Sequence, residues 1–315
     1  MPNEILDKQI ITIDYYSDVF YNTAIQKQLG VYAMKAWKVV LIIVVLFCLA
    51  GSAFADYPKY CGQYGSAKYI GGRTLIVEIY ANDAHTTWDT MERAEFQEAI
   101  AENKSKLTIG LRWLEEQVAR YGQTAEFIID LRNVQTEHFT AFSGDFETDL
   151  TSYSADGVRE LTRFIDENVD VEDLMDYFDA DNIVFAVYLN APSGDDYRSY
   201  SVSSNYVDIS ENQYYYEMAV FTPYGHGRRN TPAVYAHEIL HTFGALDLYH
   251  SCAYVPQTYV DYLTNNQKWE LMNHCYFSEY DRVTTPFTDV DAYFVGLIST
   301  CSDVEKFGLG PSIYD

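Results

Sequence analysis

Basic side chains are scarce in this chain. Lys and Arg number 21 among 315 residues against 46 Asp and Glu, a formal charge of −25 with histidine neutral. Such a surface repels phosphate backbones, which argues against nucleic acid as a partner. Cysteine is sparse, with five in all, and histidine is limited to seven. There is no internal repeat and no low-complexity tract, so the length belongs neither to a solenoid nor to a disordered tether. Long apolar runs are rare too, and the longest, Val39 to Leu49, lies near the N-terminus.

That run has the flanks of a secretory signal peptide. Met34-Lys35-Ala36-Trp37-Lys38 is a short basic region before it, and Ala53-Phe54-Ala55 after it is an A-x-A-like cleavage site. Residues 1–33 carry no recognisable motif, and we read them as an upstream extension from a mis-assigned start, with Met34 as the initiator. The alternative is translation from Met1, with 39–55 as an uncleaved signal anchor. At that length the stretch is at the short limit for spanning a bilayer. Cys48 follows Phe47 rather than a small residue, which argues against a lipoprotein signal. Cleavage leaves residues 56–315, enough for one domain or a domain with a compact second lobe. Residues 1–55 carry four basic and four acidic side chains, so the full −25 falls on the exported part. The expectation is a secreted monomer, or a membrane-anchored one if 39–55 is retained.

Four cysteines follow the signal: Cys61, Cys252, Cys275 and Cys301. An even number in an exported chain is compatible with two disulfides. Cys252–Cys275 with Cys61–Cys301 is one of three pairings, and spacing does not choose among them. Cys61 as a cap on a metal is a weaker idea, since nothing around it suggests a dedicated propeptide.

Thr74–Tyr80 reads as a strand. A helical region follows from about Thr87, clearest where Leu107, Leu111, Leu114, Val118 and Tyr121 form a stripe closed by Gly122. Ala125–Leu131 and the nearly all-apolar Asn182–Leu189 are further strands, the latter a central one. Asp156–Val169 and Asp173–Phe178 read as helices. Ser199–Ile209 and Tyr216–Phe221 read as two more strands. Thr231 and Pro232 open another helix as N-cap and first residue. Beyond it the chain reads as loops plus one helix near Asp289–Ile298.

The helix opened by Pro232 carries the most specific pattern, His237-Glu238-Ile239-Leu240-His241-Thr242-Phe243-Gly244-Ala245-Leu246-Asp247. Residues four apart share a helix face, so His237 and His241 can hold one zinc ion, each at about 2.0–2.1 Å. Glu238 sits on the neighbouring flank, where its carboxylate can act as general base. Gly244 can take a positive φ and reverse the chain, returning Asp247 as third ligand and leaving the fourth position open, as in catalytic zinc sites. Chance would place HExxH in this composition with a probability of roughly 1%, and the Gly and Asp lower that to the order of 1 in 10,000. His250 and His274 are the alternative third ligands.

HExxHxxGxx plus a third ligand, followed by a methionine turn, resembles the metzincin clan of zinc endopeptidases. The usual third ligand there is His. Asp247 makes the chain more similar to the snapalysin-type branch, and the Gly244, Asp247, Tyr249 spacing is similar to that of immune-inhibitor-A-like secreted peptidases. Trp269-Glu270-Leu271-Met272-Asn273 resembles the clan's Met-turn, with Met272 beneath the metal. The resemblance covers roughly Thr74 to Ile298 in organisation, but only 231–249 and 269–273 by specific motif. It implies an α+β fold with a mixed twisted sheet, a long helix, a zinc-bearing active-site helix and a loop-rich C-terminal subdomain. Some members carry a tyrosine two residues after the methionine; here that place is His274 and the tyrosine is Tyr276, so either is a candidate for oxyanion or metal contact.

The implied activity is hydrolysis of protein or peptide substrates with one Zn2+, Glu238 as base, and Ser199–Ser204 as the edge along which a substrate strand would lie. Calcium at acidic loops such as Asp179–Asp181 is an option without a motif to support it. The rival class is an exported, non-catalytic surface or binding protein with a structural or degenerate zinc site. Glu238 discriminates, since a purely structural site needs no base beside its ligand.

Overall fold

The computed structural model describes residues 69–129, 140–193, 198–202 and 216–310. The signal segment, Cys61, residues 130–131 of the second expected strand and residues 203–209 of the Ser199–Ile209 strand lie outside the described residues. The architecture is mixed α/β, in keeping with the α+β expectation. Strands β1 (Gly72–Asn82), β2 (Ala125–Ile129), β3 (Ala141–Asp145), β4 (Asn182–Leu189), β5 (Tyr200–Val202) and β6 (Met218–Phe221) form one sheet. Its order is β2-β1-β4-β6-β5, and β3 pairs with the far half of the long β1. All pairings are parallel except β5 against β6.

Alternation along β1 explains why the sheet is buried on both faces. Leu75, Val77, Ile79 and Ala81 enter one apolar cluster, with Val158, Leu161 and Ile165 of α2 (Ala155–Asn168) and Leu174 and Phe178 of α3 (Val171–Phe178). Ile76 and Tyr80 face the opposite cluster, with the Leu107, Leu111, Leu114 and Val118 stripe of α1 (Arg93–Arg120). Every residue of β4 is buried, as its unbroken apolar run implies for a central parallel strand. Each such Leu, Ile or Val contributes roughly 1.5–3 kcal/mol on burial.

Helix α1 crosses α4 (Pro232–His241), the helix of the HExxH pattern. Their crossing is close because α1 has Gly110 there: a Cβ at that position would stand 2.8 Å from the Pro232 carbonyl oxygen. Thr231 precedes Pro232 as expected, yet its side chain does not cap the helix. Its hydroxyl donates to the Cys275 carbonyl at 3.4 Å, tying the start of α4 to a later turn. Among the described residues no helix is long and apolar enough to cross a membrane.

Several boundaries differ from the sequence expectations. Helix α1 starts at Arg93 rather than near Thr87, because the Asn82 side chain accepts from the Trp88 amide at 2.8 Å and shapes a turn there. The C-terminal part is less loop-rich than expected, with α5 (Gln257–Asn265), α6 (Leu271–His274), α7 (Asp289–Phe294) and α8 (Ser302–Phe307). Helix α7 stops short of Ile298, and Gly296 just beyond it takes φ 79. Cys252, Cys275 and Cys301 are free thiols, so a Cys252–Cys275 bridge is not made. Cys275 is buried in the turn beneath α4, whereas Cys252 lies exposed in the loop after it.

Candidate metal centre

Helical periodicity places His237 and His241 one turn apart on α4, with ring centroids 4.6 Å apart and rings near perpendicular. Backbone carbonyls orient both rings. His237 Nδ1 lies 3.1 Å from the Leu271 oxygen, and His241 Nδ1 lies 2.8 Å from the Ala245 oxygen. A carbonyl only accepts, so each ring carries its proton on Nδ1 and presents a bare Nε2 to the site.

The end of α4 delivers the third group. Ala245 N–H reaches back to the Leu240 oxygen and Gly244 N–H to the His241 oxygen, the paired bonds of a Schellman motif. Gly244 takes φ 97, which a side chain would strain. Three residues on, Asp247 Oδ1 stands 3.3 Å from His237 Nε2 and 3.1 Å from His241 Nε2, and the two Nε2 atoms are 3.1 Å apart. Tyr249 donates to the other oxygen, Oδ2, at 3.0 Å.

Three acceptor atoms at such separations repel unless a positive charge lies among them. A tetrahedral zinc with bonds of about 2.0–2.1 Å has ligand edges of roughly 3.3–3.4 Å, so this triangle fits one face of that tetrahedron. The buried charges around the triangle act on one another. Burial opposes a charge on His237, yet Cys275, Asp247 and Glu238 around it raise its pKa well above the ordinary value. Burial would raise the Asp247 carboxyl, but the His241 and His237 imidazoles outweigh it and hold that carboxyl well below the usual range.

Glu238 also comes within 4.8 Å of the imidazole nitrogens. It differs from Asp247 in being held elsewhere: Ser201 Oγ of β5 lies 2.7 Å from its Oε2 and 2.7 Å from its own carbonyl oxygen. Asp247 therefore closes the triangle with the two imidazole nitrogens, and Glu238 stands beside it as a separate carboxylate held by Ser201. Burial raises its pKa, opposed by His237, His241 and Ser201.

Met272 is completely buried in the same apolar cluster as Leu246 and Leu248. It lies on the single helical turn α6, which begins with a Glu270 capping box. Leu271 holds His237, and the Met272 oxygen accepts from the Leu248 amide at 3.0 Å, so α6 braces both ends of the ligand loop. His250 is exposed and packs on the Tyr249 ring. His274 is sandwiched between Trp269 and Phe277, with centroids at 4.4 and 4.0 Å, and burial lowers its pKa. Neither belongs to the triangle. Both line the cleft of about 790 Å³ in front of it, as does Tyr276. Burial raises the pKa of the Tyr276 hydroxyl, and the charge of Arg198 opposes that rise.

Ser201 is the functional neighbour that residue patterns miss. It falls within the segment expected to form the substrate edge, but its bond to Glu238 depends on how closely β5 approaches α4. Tyr249 was legible only as a spacing after Asp247. No known family matches this chain and no curated protein matches it either, so the chemistry of the site rests on its own geometry.

Proposed function

We propose that this chain is a metzincin-like zinc endopeptidase. The observation that carries the reading is the triangle of His237 Nε2, His241 Nε2 and Asp247 Oδ1 with the separate carboxylate of Glu238 beside it. His237, His241 and Asp247 would hold a zinc ion, which when bound would supply a Lewis acid to bring the pKa of a water towards neutrality and polarise a carbonyl. Glu238, poised by the Ser201 hydroxyl, takes the proton of the attacking water and returns it to the leaving amine. Tyr276, on the cleft wall with a protonated phenol, donates towards the carbonyl oxygen as it gains charge. Strand β5 ends the sheet's order among the described strands, which supports Tyr200–Val202 as the edge that receives an extended peptide.

Export belongs to the same reading, on the three signal-peptide parts within residues 34–55. N-terminal sequencing of exported protein should begin at Asp56, whereas an intact chain in membranes would favour the anchor. The activity itself is tested with Glu238→Gln. The purified variant should retain one zinc per chain by elemental analysis and lose casein-type peptidase activity by roughly 10²–10⁴-fold. Near-normal turnover by that variant would remove Glu238 as the base.

A further inference from the structure

The wall of the cleft carries a charge pattern unlike the rest of the chain. Among the described residues its acidic lining side chains are Glu238 and Asp247, and both are committed, one to Ser201 and the other to the two imidazoles and Tyr249. The other fully charged lining residues are Arg198 and Arg228, in a chain with more than twice as many acidic as basic side chains. Arg229, next in sequence, is engaged by Glu102 at 2.9 Å, and Arg73 by Glu126 at 2.9 Å. Arg198 and Arg228 pair with no carboxylate among the described residues.

Arg228 is nevertheless held in place. Its guanidinium lies 5.2 Å from the Phe277 centroid, on the aromatic tier Phe277–His274–Trp269. A guanidinium stacked on a ring keeps its N–H donors at the rim, where they can fork onto a carboxylate. Arg198 lines the same cleft as Tyr276, beside Ser199, Tyr200 and Ser201. With zinc bound, the charges of Asp247 and Glu238 would offset the ion, leaving the two guanidiniums as the surplus among the described lining residues.

We propose that Arg198 and Arg228 select peptide segments with acidic side chains flanking the bond presented to the metal. This rests on the peptidase reading of the same cleft and adds its substrate class. At long range the −25 chain repels an anionic peptide, so the preference has to arise from short-range bidentate contacts in the cleft. It should therefore appear as affinity rather than as encounter rate.

The test uses zinc-loaded full chain carrying Glu238→Gln, and two labelled peptides identical except for Asp and Glu against Asn and Gln around the centre. At about 0.15 M salt, where exposed charges interact only within roughly 8 Å, the acidic peptide should bind about tenfold tighter. The ratio should fall to near one in an added Arg198→Gln/Arg228→Gln pair and persist in an added Arg73→Gln, with circular dichroism and zinc content confirming folding. Equal affinity for the two peptides, or a ratio that survives loss of both arginines, would overturn the proposal. Cleavage by the unsubstituted protein separates the two claims. A tenfold binding preference with neither peptide cleaved would sink the peptidase reading and leave the selection of acidic segments standing.

Discussion

At the residue scale, Asp247 is the most consequential side chain outside the HExxH core. Its Oδ1 completes the triangle while Tyr249 holds Oδ2, so under the proposed function it would be a ligand with its own orienting donor. Asp247→Ala should abolish stoichiometric zinc after dialysis. Tyr249→Phe should weaken zinc by roughly 10–100-fold, the usual cost of losing an outer-shell partner. His250→Ala and His274→Ala should both keep one zinc per chain, because one ring is exposed and the other is stacked between Trp269 and Phe277. Zinc retained in Asp247→Ala with loss in either histidine variant would move the third ligand. The spacing from Gly244 to Asp247 was readable in the sequence, since a positive φ after a helix turns the chain back wherever it occurs. The fate of His274 was not, because an aromatic sandwich forms only when α6 and the turn behind it are in place.

At the element scale, the brace behind the ligands depends on α6 meeting α7. Glu270 at the start of α6 and Asp291 in α7 are both almost fully buried, and Glu270 Oε1 and Asp291 Oδ1 have no hydrogen-bond partner among the described residues. Burial, reinforced by Asp291, pushes Glu270 well above the ordinary carboxylate range. Burial likewise takes Asp291 from 3.8 to about 6. An acid whose pKa is raised on folding binds more protons folded than unfolded between those two values, so stability falls as pH rises through that window. Melting temperature should therefore drop between pH 4 and pH 6.5 by more in the wild type than in Asp291→Asn, which removes one titrating partner. Parallel curves for the two proteins would mean that the pair does not titrate there. Elements with strong periodicity, such as α1 and β4, were legible in advance. The short helices α5, α6 and α8 were not, because four to nine residues carry too little period and owe their helicity to packing.

At the scale of the whole molecule, metal and fold should be linked. A ligand that binds only the folded chain stabilises it by about 2.7 kcal/mol at a hundred times its dissociation constant, a rise of roughly 5–10 °C in melting temperature for a domain this size. Zinc should produce that rise, a chelator should reverse it, and Asp247→Ala should show neither. A melting temperature indifferent to zinc would mean that the triangle does not hold the ion in the folded state. The sequence by itself determined the groups on offer: two imidazoles and a carboxylate on one helix, a glycine to reverse the chain, a strong net negative charge and a signal-like N-terminus. Those are local matters, set by 3.6-residue periodicity, φ preference and composition. Only the tertiary structure decided that Ser201 reaches Glu238, that Leu271 orients the His237 ring, and that Arg198 and Arg228 face the cleft without a carboxylate partner among the described residues. Each joins residues that are distant in sequence or lie on separate elements, and sheet order, the Gly110 crossing and burial set those distances, which no local pattern encodes.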